Sequence, residues 1–177
     1  DIYVTLEKDG VEYSFCVEVY LTGTDSDVYT TVGELVAGDV VDVEGFLYWY
    51  EGANTHITAV APASAMSYAD YAAAELDAEV VIETYVQATQ SWWEDKITVY
   101  CQSPDGAYFL YELACSEEDA AKLVPGTKIR VTGYKGEWAG EVEVMDGTFE
   151  FVNAAPWVAE AADVTALLGT DELIAHQ

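Results

Sequence analysis

Residues 123–140, LVPGTKIRVTGYKGEWAG, have a counterpart in residues 35–52, LVAGDVVDVEGFLYWYEG, at a constant offset of 88. Leu35 and Val36 match Leu123 and Val124, and Gly38 matches Gly126. Val41 matches Ile129, Val43 matches Val131 and Phe46 matches Tyr134, while Gly45 and Gly52 match Gly133 and Gly140. A gapless match with three glycines in register makes the chain two copies of one module, and no fold that ignores the repeat is admissible. At 177 residues that means two small domains, each with a modest core.

The residues between the repeats carry strand patterns. IYVTL at 2–6 and VEYSFCVEVYL at 11–21 alternate about Asp9-Gly10, a hairpin turn signal. Residues 22–31 read as a loop with a short helix, and residues 40–50 and 56–60 form a second hairpin. APASAMS at 61–67 is a linker, and Ser67-x-x-Asp70 predicts a helix start. Residues 79–87, 97–101 and 108–113 then read as three strands, with a turn at Pro104-Asp105-Gly106. Ser116-x-x-Asp119 caps a short helix through Leu123 that Pro125-Gly126 ends, and residues 129–134 and 141–152 complete the second module.

Three strands, a short helix and two strands is the order of the OB-fold, a five-stranded Greek-key barrel. Gly45 and Gly133 are placed to bend its fourth strand. The expected fold class is therefore all-β with short helices, two tandem OB-fold-like barrels, the first lacking its opening strand. The expected boundaries are 1–62 for the first barrel, 63–77 for a linker with a short helix, 78–153 for the second barrel and 154–177 for a connector with a short helix. A barrel short of one strand exposes an edge. Residues 157–177, a strand from another molecule or a strand outside this sequence could cover it.

Thirty-three acidic against six basic residues give a net charge of −27. Residues 1–62 carry 12 acids and one base, Lys8, for −11, and the remainder carries −16, so both modules are acidic. With so few bases to release counterions from phosphates, the expectation is no nucleic-acid partner and no anionic membrane surface. No apolar run reaches the ~20 residues of a membrane helix, so no transmembrane segment is expected. The absence of an initiator Met and of a leader pattern reads as a mature or trimmed product. Cys16, Cys101 and Cys115 show no metal-ligand spacing and read as buried free thiols.

Catalysis finds no motif. His56 and His176 have no evident Ser or Cys partner, and there is no glycine-rich phosphate loop. Turn carboxylates at residues 24–27, Asp9 and Asp105 could reach a calcium ion, but no EF-hand loop is present, and neither a cofactor nor a metal site is indicated. The chain reads as no enzyme.

VQATQSWW, KITVY, DGAYFLYELACSEEDAAKLVPGTKIRVTGYKGEW and GEVEV in residues 85–149, with GDVVDVEGFLYWYEGANTHIT in residues 38–58, resemble uncharacterised secreted or surface lipoproteins of gut Firmicutes with tandem OB-like domains. ADVTALLGTDELIAHQ at the C-terminus looks like their inter-domain connector. In that family the SWW domain comes first and the connector follows it; here the FLYWY domain leads and the connector is last. The resemblance implies an extracellular, cell-surface setting, secreted or lipid-anchored, and assigns no catalytic residue.

Aromatic residues are the candidate site. In an OB barrel the loop after the first strand and the turn between the fourth and fifth frame the ligand face. Trp92 and Trp93 fall at the first, Tyr134 and Trp138 approach the second, and Tyr48, Trp49 and Tyr50 stand at the equivalent turn of the first module. Tryptophan also fills interfaces and caps small barrels, so packing competes with ligand contact as their role. The expected function is a non-catalytic extracellular binding or adhesion module for a glycan or small ligand. Its alternative is a structural assembly unit of a surface or filamentous polymer, self-associating by strand complementation.

Overall fold

The computed structural model of the chain describes residues 1–8 and 10–176, with side chains to residue 173. It divides into two compact units, Asp1–Ser64 and Ala65–Gln177.

The first unit opens with β1 (Ile2–Lys8) and β2 (Val11–Val17), paired antiparallel. Gly10 takes the turn at φ 73°, where glycine has no steric penalty; Asp9, its expected partner, lies outside the described residues. β2 stops at Val17, short of the expected Leu21, because residue 18 is held from a distance. The Glu18 amide donates to His56 Nδ1 at 3.1 Å, and its carbonyl accepts from the Thr22 amide and hydroxyl. That starts one helical turn, α1 (Val19–Thr22). α2 (Asp27–Glu34) follows, its Ser26 N-cap accepting from the Tyr29 amide. β3 (Val41–Trp49) and β4 (Ala53–Pro62) form the second hairpin, and β2 meets β4 in parallel at Cys16 and His56. The sheet order is β1-β2-β4-β3. Its core is thin: Val17, Val32 and Ile57 are buried, with Ile2, Val4, Phe15, Val43 and Val60 partly buried around them.

In the second unit α3 (Tyr68–Ala73) starts at Ser67, whose hydroxyl accepts from the Asp70 amide. β5 (Glu79–Thr89), β6 (Lys96–Ser103), β7 (Gly106–Ala114), β8 (Lys128–Trp138) and β9 (Glu141–Phe151) follow, with α4 (Glu117–Ala120) between β7 and β8. They close into a barrel of order β5-β6-β7-β9-β8, and β7 meets β9 in parallel at Leu110 and Val144. This is an OB-fold-like barrel. Alternation along β5 sends Val80, Ile82, Thr84 and Val86 inward, all fully buried with Val99, Leu110, Leu113, Ile129 and Val131. Each such aliphatic side chain contributes roughly 2 kcal/mol of burial.

Removing β5 from the closed order leaves β6-β7-β9-β8, which is the order of the first sheet, with the parallel contact and the helix in the same places. The repeat glycines do the same work in both units. Strand register shifts at Glu44/Gly45 and between Thr132 and Tyr134. A Cβ at Gly133 would lie 2.7 Å from Val144 Cγ1 and 2.8 Å from the Met145 carbonyl, and one at Gly45 would overlap the His56 carbonyl.

Two polar devices tie the second barrel together. Buried Lys135 donates to the carbonyls of Tyr71, Ala72 and Ala74 at 3.0, 2.8 and 2.7 Å, satisfying the end of α3. Glu83 on β5 receives Lys128 at 2.5 Å and Arg130 at 3.3 Å from β8. The stretch after β9 runs against the same unit: the Trp157 ring packs 5.5 Å from Tyr85, and the Ala159 amide donates to Gln87 at 2.9 Å. It then makes 3-10 turns at Thr165–Leu167 and Asp171–His176, so residues 157–177, a candidate cover for the open sheet, pair as no strand among the described residues. No helix of the described residues is long and apolar enough to cross a membrane.

Two stability measurements follow from this packing. Thr84 is fully buried and its hydroxyl has no partner among the described residues. Thr84→Val keeps the shape and removes the orphan, so it raises stability by about 1 kcal/mol in thermal or denaturant melts. The Lys128 hydrogen bond, with the Lys128 and Arg130 charges, holds the Glu83 carboxyl below its ordinary range. A lowered folded pKa contributes stability above the unfolded pKa that is lost as pH falls through the folded value. Glu83→Gln therefore melts about 3 °C below the parent at pH 7, and the gap closes below roughly pH 4.

Candidate functional site

The hairpin β6–β7 presents its apolar residues on two sides. Val99, Cys101, Tyr108 and Leu110 point into the barrel, which leaves Tyr100, Phe109 and Tyr111 on the outer face. Tyr100 and Phe109 are directly paired across the ladder, and their rings stack 5.3 Å apart at 29°. Phe109 and Tyr111 lie two residues apart on one strand, with centroids 6.3 Å apart. Tyr100 is 42% and Tyr111 43% exposed, so the strip is open to solvent.

Polar groups border it. Gln90 Nε2 donates to the Tyr100 hydroxyl at 2.8 Å. The ladder shifts register between Ile97 and Val99, opposite Glu112, which takes a positive φ of 48°. That turns Glu112 toward Lys96, whose ammonium it receives at 2.8 Å. Hydrogen bonding to Glu112, then the charges of Glu112 and Glu143, raise the Tyr111 hydroxyl above its ordinary range. Burial first, and Glu141 second, push Glu143 up. The strip thus combines three rings, a neutral amide and carboxylates, and its neighbouring cation Lys96 is already paired.

The residues singled out in the sequence divide by role. Trp92 is half-buried, packs on the barrel core and donates Nε1–H to the Cys115 carbonyl at 2.8 Å. Trp93 is 63% exposed, its backbone paired both ways with Lys96 at the root of β6. Trp138 is 75% exposed at the end of β8, before the Ala139-Gly140 turn. Tyr134 sits in mid-β8, a strand that neighbours β5 and β9 and not the hairpin. In the first unit Tyr48 donates its hydroxyl to Glu18, which pushes its pKa up to about 12, while Trp49 and Tyr50 stand exposed at the strand end. Of the four in the second unit, Trp92, Tyr134 and Trp138 join other parts of the barrel, and Trp93 meets the hairpin through its backbone pairing with Lys96. Tyr100, Phe109 and Tyr111 were not singled out, although the i, i+2 spacing of Phe109 and Tyr111 within a strand is a legible sign of a shared face.

His56 is buried, its Nδ1 occupied by the Glu18 amide and its ring 5.2 Å from Phe46. Cys16, Cys101 and Cys115 are all buried and free, and burial pushes each thiol up, away from the reactive thiolate. Among the described residues no three His, Cys, Asp or Glu side chains cluster as a metal site.

No family model and no curated protein matches the chain. Among solved structures, the p204 HINb domain is similar at 8% identity, over 85% of this chain and 84% of that one, with a TM-score of 0.42. A murine DNA-binding protein bound with double-stranded DNA is similar at 10% identity, over 86% of each chain, also with a TM-score of 0.42. The expectation of no nucleic-acid partner rested on net charge alone and does not stand as an exclusion, since the second of these neighbours is described as bound with double-stranded DNA. The physical reason is that bases stack on aromatic faces in a way that total charge does not report.

Proposed function

We propose that the chain is a tandem of two OB-type units, the first without the opening strand, acting as a non-catalytic extracellular binding module. Its ligand lies on the outer face of β6–β7, across Tyr100, Phe109 and Tyr111. The observation that supports this is the strip itself: contiguous, solvent-open rings on the second and third strands of an OB-like barrel, the strands whose face serves oligonucleotides and oligosaccharides in this fold.

A neutral oligosaccharide suits the surroundings best. Flat rings meet the apolar faces of sugars, while Gln90, Glu112 and the tyrosine hydroxyls offer donors and acceptors to its hydroxyl groups. The cation nearest the strip, Lys96, is already paired with Glu112. Trp93, beside Lys96, extends the surface at one end.

Intrinsic fluorescence titration against a panel of neutral glycans, with a single-stranded oligonucleotide at low salt in parallel, tests this. A glycan is expected to perturb emission, and the outer-face double variant Tyr100→Ala, Phe109→Ala should weaken it roughly 30-fold, about 2 kcal/mol, with unchanged circular dichroism. Trp92→Ala, by contrast, should lower stability. An oligonucleotide response with silence across the glycans would replace the sugar by a nucleic acid.

A further inference from the structure

The strip belongs to the second unit; the first carries a separate surface. Among the described residues β1 pairs only with β2, and β3 only with β4, so both outer edges of the sheet are unpaired. In the second unit the corresponding edges, β6 and β8, are bridged by β5, antiparallel to both. The aliphatic faces differ accordingly. Ile129 and Val131 are fully buried beneath β5, whereas their repeat counterparts Val41 and Val43 are only partly buried. Ile2, Val4 and Leu6, alternating along β1, are also partly exposed. An unpaired, apolar, correctly ordered pair of edges is a strand acceptor.

The repeat also states what kind of strand fits. Glu83 of β5 lies directly opposite Arg130 of β8 and is held by Arg130 and Lys128. At the offset of 88 the residue matching Arg130 is Asp42, the one matching Lys128 is Val40, and the one matching Thr132 is Glu44. The charge facing the incoming strand is thus reversed. One oxygen of Asp42 accepts from the amide and hydroxyl of Ser64 at 2.8 and 3.0 Å, and the other has no partner among the described residues. A strand with glutamate at that position would set like charges opposite one another, which is destabilising across a ladder. This disfavours the β5 segment of a second copy. It equally disfavours residues 158–168, which carry Glu160 and Asp163 and no base.

We infer that the first unit takes, between β1 and β3, an extended segment from outside residues 1–177, with aliphatic side chains at alternate residues and a lysine or arginine on the opposite face, against Asp42. Backbone pairing along β1 and β3 supplies affinity, the apolar alternation sets register, and the cation selects the partner.

Two peptides test it on the full chain: residues 79–89, EVVIETYVQAT, and the same peptide with Glu83→Lys. The lysine peptide is expected to bind about ten-fold tighter at low salt, the advantage shrinking as salt rises. It should protect the outward amides of β1 and β3 from hydrogen exchange. Asp42→Asn should reduce the preference, and Asp42→Lys should reverse it in favour of the glutamate peptide. Absence of edge protection with either peptide overturns the acceptor, and a preference unmoved by Asp42→Lys overturns the charge rule. Self-association that protects the same amides without peptide would make the occupant a second copy instead. Glycan or oligonucleotide binding at the second unit bears on none of these readings.

Discussion

Pairing of β5 with both β6 and β8 is the contact on which the second unit depends. It closes the sheet, delivers Val80, Ile82 and Val86 to the interior, and brings Glu83 to Lys128 and Arg130 of β8. The first unit shows the same sheet order without that strand. Its strands still pair, because ladder hydrogen bonds are local to each hairpin, but its interior stays half-exposed, because burial needs all sides of the barrel. One chain thus displays a barrel and its incomplete form, and the difference between them isolates what a single strand contributes.

Closure also explains where the exposed rings of the second unit stand. Once Val99, Cys101, Tyr108 and Leu110 fill the barrel, the alternation of β6 and β7 leaves Tyr100, Phe109 and Tyr111 outside. Register then stacks Tyr100 on Phe109. The aromatic strip is a by-product of a well-filled core as much as a surface in its own right, and the inward and outward sets are separable by substitution.

Much of the architecture was legible in the residues. Matching 35–52 with 123–140 revealed the duplication, and the strand and turn signals around it placed the helix between the third and fourth strands. The Ser26, Ser67 and Ser116 caps are local chemistry; the last two were read from their serine-x-x-aspartate pattern, while Ser26 passed unnoticed in a stretch read only as loop and helix. What escaped depended on distant partners. The end of β2 is set by His56, 38 residues from Glu18. Trp92 and Trp93 are neighbours of one type, yet one is tied to Cys115 and the other is open, a distinction only the folded loop makes. Tyr100 and Phe109 become one surface through cross-strand register, which no window of sequence displays. Net charge, in turn, is a property of the whole chain and was too coarse to exclude a class of ligand.

Gly45 has a consequence of its own. In the closed barrel the ladder shifts register beside its counterpart Gly133; in the first unit it shifts in the same way beside Gly45, although no strand pairs with the outer edge of β3 among the described residues. The irregularity therefore belongs to the hairpin itself. An edge whose register is already set is preorganised: it gives up little further backbone freedom on meeting a complementary strand, and its selectivity is carried by side chains instead of by refolding.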